Sequence, residues 1–447
     1  MHIRVLTVRH PTLFPTLLAL TLCVSHLAGC PEGTTGDAGG QDAGGQDAGG
    51  QDAGGQDAGD QDAGDQDAGD QDAGDQDAGD QDAGDQDAGD QDAGGDDYEV
   101  WATDQALNRI SIVGPDLTVR DTVDFNTLDT VAVGTVTRPH MIDFTSDGAY
   151  AFIANTVSGN VAVVRASDRQ VVALVPTGPG SHAATVLPGN DVALVAVIGE
   201  SALKEIIIDT ENESFTLGRT LVIGNDPLFL ERASEFGTAK PICQDSTIDG
   251  RYAYVTLGPD HTNAGLVIVD TDTFVLERVF PPSEVSANCG TRRSADGTKM
   301  YVNGGPNDSD GRYWVFDTIT HTILHEESSQ GHDVHGVAVT PDGAEVWMVN
   351  RATWNAIIID PVTHTVTETI PFVGEAPDIL TFSPDGRYAF ITLRGPMPLT
   401  GAPHAAAGNT PGIQVIDVTT RALVTRIEPA GEDTSSDYHG VSVRRIP

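Results

Sequence analysis

Four histidines, a cysteine and an aspartate recur at one place in a repeated pattern. A short turn appears as TSDG (145–148), TIDG (247–250), SADG (294–297), TPDG (340–343) and SPDG (383–386), with Pro188-Gly189-Asn190-Asp191 in one further copy. Seven residues before the turn aspartate, or its equivalent, stand His140, His182, Ile242, Cys289, His335 and Asp378; His439 opens a last copy. A packed strand has no need of so many ligating side chains at one register. Imidazole, thiolate and carboxylate are the donors of Zn, Cu and Ni sites. The plainer reading is that these imidazoles hydrogen-bond neighbouring backbone.

The elements that position this column are short strands. Residues 335–371 read as four of them: HGVAVT, EVWMVN, AIIID and TVTETI, separated by turn signals at 341–343 and 361–364. Runs of β-branched residues bounded by Gly, Pro and Asp are the strand signature. The third strand has seven copies: ISIV (110–113), VAVV (161–164), EIII (205–208), LVIV (266–269), YWVF (313–316), AIII (356–359) and IQVI (413–416). A sheet of four strands cannot cover both of its faces alone, and a repeat of roughly 40–60 residues is that of a propeller blade. The expected fold is therefore all-β, a seven-bladed propeller of four-stranded antiparallel blades. The first unit, starting near Val100, lacks its first strand, and His439-Gly440-Val441-Ser442-Val443 is a first strand with no unit after it. Joining the two closes the first blade with the C-terminal strand and removes open sheet edges.

In such a ring the column begins each innermost strand and faces one mouth of the central channel. His335, Asp378, His439, His140 and His182 then form one contiguous arc, in which His439, His140 and His182 lie on three consecutive blades. These three are the expected ligands of any Cu or Zn ion. Arg351 and Arg394, each directly after a second strand, join the arc as candidate mouth-binding residues. The loops 258–265 (with His261), 304–311 and 394–412 (with His404) emerge at the same mouth, and loops this long in a compact domain are usually functional. Cys243 and Cys289 start inner strands of adjacent blades one position out of register, so they could face each other as a disulfide; unpaired thiols, or one thiol as a ligand, are the alternatives.

Two segments precede the propeller at 98–447. Residues 1–29 have a basic start (Arg4, Arg9), an interrupted apolar stretch and the ending Leu27-Ala28-Gly29 before Cys30. This resembles the lipobox of bacterial lipoproteins, which implies cleavage before Cys30, acylation of its thiol and stable anchoring in a bilayer. Pro31 follows the cysteine where inner-membrane retention would place Asp, which favours the outer membrane. Residues 30–97 are repeats of QDAGG and QDAGD, with 22 acidic residues from 31 to 97 and no Lys or Arg. They offer no large apolar side chain to bury and read as a disordered acidic tether. The same lack argues against a calcium-binding β-roll.

The chain carries −42 at pH 7; without the tether's acids and the two arginines of the leader, about −22 remains on the propeller. That disfavours nucleic acid, which needs basic stripes, and is compatible with cationic ligands. The HGVAVTPDG (335–343) pattern, the second strands YAFIAN (150–155), KMYVN (299–303) and EVWMVN (345–350), and the third strands VIVDTDT (267–273) and VIDVTT (415–420) resemble the YVTN-type, YncE-like β-propellers over about residues 98–447. That resemblance implies the fold but little about activity.

The sequence has no Gly-x-Ser-x-Gly elbow, phosphate loop or His-Glu-x-x-His. The expectation is a monomeric, exported, membrane-anchored module that binds a small molecule, glycan or protein through the channel mouth. The alternative is a metal-dependent redox, hydrolytic or lyase enzyme using the His-rich ring.

Overall fold

The computed structural model describes residues 97–128, 136–401, 405–431 and 435–446. The leader, Cys30, the repeats up to residue 96 and His404 lie outside the described residues. Seven four-stranded antiparallel sheets make up the fold. The first blade takes its inner strand, Tyr438–Arg445, from the far end of the chain and continues through Tyr98–Asp104, Arg109–Val113 and Val119–Asp124. Tyr98 pairs with Arg445 and Val100 with Val443, so the ring closes as the unmatched first and last strands require. Blades 2 to 7 follow in chain order, with inner strands Pro139–Phe144, Ser181–Val186, Pro241–Ser246, Thr291–Arg293, Val334–Val339 and Pro377–Phe382.

The burial of each strand follows from its place in the blade. In blade 6, Val346–Asn350 and Asn355–Ile359 are buried throughout, whereas the outermost strand Val366–Ile370 is mostly exposed. The middle strands are covered on both faces by neighbouring blades, which is why they read as unbroken apolar runs. Large side chains interlock between blades: Trp101 meets Phe144 edge-on at 5.3 Å between ring centroids, and Trp347 meets Phe382 at 5.4 Å.

One irregularity positions the column. The pairing of inner with second strand shifts register between Pro139 and Ile142, Ser181 and Ala183, Pro241 and Gln244, Val334 and Val337, and Pro377 and Leu380; in blade 1 the shift falls between Ala102 and Asp104. A bulge re-aims side chains and breaks the two-residue alternation of a strand. Each column residue sits at such a bulge, apart from Cys289, which precedes the short inner strand of blade 5. The glycine that often follows is sterically required. A Cβ on Gly440 would lie 2.4 Å from the His140 carbonyl oxygen, one on Gly336 2.5 Å from that of Asp378, and one on Gly290 2.5 Å from that of His335. Adjacent blades thus meet backbone to backbone at the column.

Candidate functional site

The column residues come together, but in a closed plug rather than around an open mouth. His140, Asp378, Arg351, Arg394, Asp333 and Asp437 are fully buried, and His182, the most exposed imidazole of the column, reaches only 9%. The loop after Arg394 supplies part of the cover. Leu399 donates its amide to Asp437 at 2.8 Å, and Thr400 donates its hydroxyl to Gln105 Oε1 at 3.0 Å. The other long loops pack on the same face: Asp333 donates its amide to the Pro306 carbonyl at 2.6 Å, and Asn288 donates to the Pro259 carbonyl at 2.8 Å. His261 stays on the surface beside Asp260.

A relay of side chains runs through the plug from blade to blade. Arg351, just after the second strand of blade 6, donates to both oxygens of Asp333 in its own blade (2.8 and 3.0 Å) and to Asp378 Oδ1 in blade 7 (3.2 Å). Arg394 repeats this one blade on. It donates to Asp378 Oδ2 at 3.0 Å and to both oxygens of Asp437 in blade 1 at 2.7 and 3.0 Å. Gln105 takes the same place in blade 1, donating to Asp437 at 3.1 Å and facing His140 Nδ1 of blade 2 with its carbonyl oxygen at 3.0 Å. His140 Nε2 lies 2.8 Å from His182 Nε2, and His182 donates Nδ1–H to the Ile242 carbonyl of blade 4 at 2.9 Å. A buried guanidinium is tolerated when its hydrogen bonds go to paired carboxylates, and each of these two bridges two of them.

The imidazoles divide into two groups. His182 has both ring nitrogens engaged, Nδ1–H on the Ile242 carbonyl and Nε2 accepting from His140 Nε2–H, whereas a neutral His140 turns only a lone pair on Nδ1 toward Gln105 Oε1. His439 stacks on His140 with centroids 3.6 Å apart. Its Nε2 lies 3.4 Å from Asp378 Oδ2, and its Nδ1 has no hydrogen-bond partner among the described residues. His335 Nε2 lies 3.2 Å from Asp378 Oδ1. Burial holds His140 and His439 well below the ordinary imidazole range, and neighbouring positive or ionisable groups add to it: His439 and His182 around His140, Arg394 and His335 around His439. Neutral imidazole is the ligating form.

Two sets of three donors converge, with their ligand atoms within 4.8 Å of one another: His335, Asp378 and His439, and Cys289, Asp333 and His335. These buried groups could hold a metal. The trio His140, His182 and His439 does not converge in this way. Cys243 and Cys289 are free, buried thiols. Burial pushes the Cys243 thiol up to about 12 and that of Cys289 well above its ordinary value.

Beneath the plug the central channel is open. A cavity of about 530 Å³ is bounded by the inner strands, from Met141, Cys243, Gly290 and His335 at the plug end to Ser146, Asp147, Pro341, Pro384 and Arg445 at the turn end. Ser146, Asp147, Pro341 and Arg445 are exposed, so the accessible mouth is on the turn face, opposite the long loops.

Asp333, Asp437 and Gln105 were not among the expected residues. A signal for the two acids was present: Asp333-Val334-His335-Gly336-Val337 and Asp437-Tyr438-His439-Gly440-Val441 share the pattern Asp-x-His-Gly-Val.

No protein-family model matches the chain. No curated protein matches its sequence. Solved structures do match. Hydrazine synthase of Kuenenia stuttgartiensis aligns with a TM-score of 0.53 and 17% identity over 71% of this chain and 99% of that one. Dihydro-heme d1 dehydrogenase NirN in complex with DHE aligns at 0.49 and 15%, over 77% and 74%. The β-propeller domain of Myceliophteria thermophila Cps50 (Swd1) aligns at 0.49 and 14%, over 67% and 93%. The chain is a seven-bladed β-propeller, and identities this low speak for the fold alone.

Proposed function

We propose that the chain is an exported, lipid-anchored binding module of YVTN-like type that takes a small-molecule ligand into its central channel from the turn face. The observation that carries this reading is the cavity of about 530 Å³. It falls within the range of roughly 300–1,000 Å³ typical of small-molecule sites. Its wall mixes apolar strand residues with a few polar groups, among them Asp143, Gln244, Asp245, Arg292 and Thr381. The anchor rests on Leu27-Ala28-Gly29-Cys30 and the tether on the acidic repeat.

The test uses the full-length chain purified from bacterial membranes. Native mass spectrometry looks for a co-purifying molecule, and a panel of monosaccharides, amino acids and polyamines is screened for a rise in melting temperature. A ligand should emerge, and Thr381→Trp, which fills the channel, should abolish its effect while the free protein melts within a degree or two of the parent. No co-purifying molecule and no shift across the panel would overturn the channel reading. The anchor has its own arm. Cys30→Ala should lose incorporation of labelled palmitate, and retained label would reject lipidation there.

A further inference from the structure

We propose that the ligand of the channel is a small zwitterion, with a carboxylate bound by Arg292 and an ammonium bound by Asp143 on the opposite wall. This rests on the channel reading above and adds the chemical class of the guest. Three residues after each column residue, the seven inner strands contribute one residue apiece to the cavity wall. These are Ser442 in blade 1, then Asp143, Thr185, Asp245, Arg292, Ala338 and Thr381 in blades 2 to 7. Blades 2 and 5 stand three places apart in a ring of seven, as far apart as two blades can be. Asp143 and Arg292 therefore face each other across the channel.

Arg292 stands apart from the other arginines. Arg138 and Arg445 hold backbone carbonyls, Arg387 lies over the Tyr388 ring, and the rest of the described arginines pair with acids. Arg292 makes no hydrogen bond, ion pair or ring contact among the described residues. On an innermost strand exposure means exposure to the channel, and Arg292 is exposed. Asp245 on the adjacent blade is already satisfied. It accepts the amides of Arg293 at 2.9 Å and Ser246 at 2.7 Å, and the Arg293 guanidinium lies 3.4 Å away. Asp143 has the amides of Val186 and Phe144 on its carboxylate and no cation in ion-pair contact. Each carboxylate oxygen has two acceptor directions, so places are left for an ammonium. The charge of Arg292 still reaches Asp143 and pulls its carboxyl down, although no ion pair joins them. The two charges thus act across a gap wider than a direct ion pair, and a guest carrying both signs fills it.

The rest of the girdle suits such a guest. Thr185 is committed, donating its hydroxyl to the Gln244 carbonyl at 3.1 Å. Thr381 and Ser442 are half-buried, and their hydroxyls make no hydrogen bond among the described residues. They lie on the arc that runs from Arg292 through blades 6, 7 and 1 to Asp143. Ala338, next to Arg292 on this arc, is the smallest side chain of the seven and leaves room beside the guanidinium. A guanidinium grips a carboxylate with two parallel N–H donors. A sugar offers Arg292 no charge to hold. A polyamine meets Arg292 with like charge, and a dicarboxylate meets Asp143 and Asp245 with like charge. A zwitterion is the class in which each charge faces its opposite.

The full-length chain is dialysed against an equimolar mixture of L-amino acids, against γ-aminobutyrate alone, and against glucose and putrescine as controls. Retained molecules are identified by mass spectrometry. An α-amino acid, or γ-aminobutyrate if the two charges need the longer spacing, should be retained. Its methyl ester, which lacks the carboxylate, and its N-acetyl derivative, which lacks the ammonium, should each bind about tenfold or more weakly. Arg292→Gln should lose the same factor for the free acid and nothing for the ester. Asp143→Asn should lose it for the free amine and nothing for the N-acetyl derivative. The ester and acetyl comparisons on the parent chain decide the matter if either variant fails to fold. Derivatives that bind as well as the free amino acid, or equal loss of acid and ester in Arg292→Gln, would overturn the zwitterion. Retention of glucose or putrescine alone, abolished by Thr381→Trp, would overturn it too and leave the channel reading standing. Retention of nothing would overturn both.

Discussion

Asp143 shows what the channel does to a single side chain. Its carboxyl is half-buried in the wall of the channel, and desolvation pushes it up to about 6, against the pull of the Val186 amide and Arg292. Because its folded value is raised, the native state holds the proton more tightly than the unfolded chain. Stability from this group is therefore present at about pH 4, is lost as pH rises through about 6, and stays lost above. Asp143→Asn keeps an oxygen for the Val186 amide, which Asp143 accepts at 2.9 Å, and removes the ionisation. It should stabilise the fold by about 1–3 kcal/mol at pH 7.5 and by almost nothing at pH 4. Urea unfolding midpoints of parent and variant at the two pH values check this, and a gain equal at both would reject the desolvation account. Residues like this were only partly legible beforehand. The histidine column emerged from aligning turns, because each imidazole keeps a constant distance from a strong turn signal. Which imidazoles share a hydrogen bond and which face a carboxylate depends on bulges, and a bulge leaves no compositional mark. Face-counting that set Cys243 opposite Cys289 meets a bulge at Cys243, and the two are free thiols.

At the scale of elements, the turn after each inner strand carries the fold's legibility. In TPDG, Thr340 donates its hydroxyl to Asp342 Oδ1 at 2.7 Å and accepts the Glu345 amide at 3.0 Å, while Asp342 accepts the Ala344 amide at 3.0 Å. Gly343 follows at φ +73°, where a side chain would be strained. Thr145 with Asp147, Thr247 with Asp249, Ser294 with Asp296 and Ser383 with Asp385 make the same hydroxyl-to-carboxylate bond. Local chemistry of this kind recurs because each blade whose inner strand runs directly into its second needs the same reversal, and so it can be read from sequence without knowing the fold. The relay through Arg351, Arg394 and Gln105 could not. It joins residues far apart in the chain, and each member sits where the preceding blade happens to offer a partner. Asp342→Ala removes two hydrogen bonds from one turn and leaves six blades untouched. It should cost about 1 kcal/mol, read as a lower urea midpoint with unchanged slope. A loss of 3 kcal/mol or more would mean that the turn carries contacts beyond its own backbone.

The seven blades form a ring, and the two ends of the described chain meet in blade 1. Tyr438–Arg445 is the inner strand of blade 1, paired with Tyr98–Asp104. Thr103 ties the join on both sides, donating to the His140 carbonyl of blade 2 at 2.7 Å and accepting the Gly440 amide at 2.8 Å. Arg444 reaches Glu99 at 2.9 Å and the Gly148 carbonyl of blade 2 at 3.2 Å. The relay crosses the same join through Asp437, which Arg394 of blade 7 and Gln105 of blade 1 share. Deleting residues 438–447 would therefore do more than remove one strand. It would open an edge on Tyr98–Asp104, expose the flanks of blades 7 and 2, and take away His439 and Arg444, leaving Glu99 buried with one arginine fewer. A blade that has lost its inner strand has an unprotected sheet edge and is prone to pair with other copies. The expected result is loss of the cooperative thermal transition, or a large drop in its midpoint with aggregation. A synthetic peptide of residues 435–447 added in excess should restore part of the transition, because the strand pairs by ordinary antiparallel hydrogen bonds and needs no covalent link. A truncated chain that melts within a degree or two of the parent would mean that the other blades hold the ring without its closing strand.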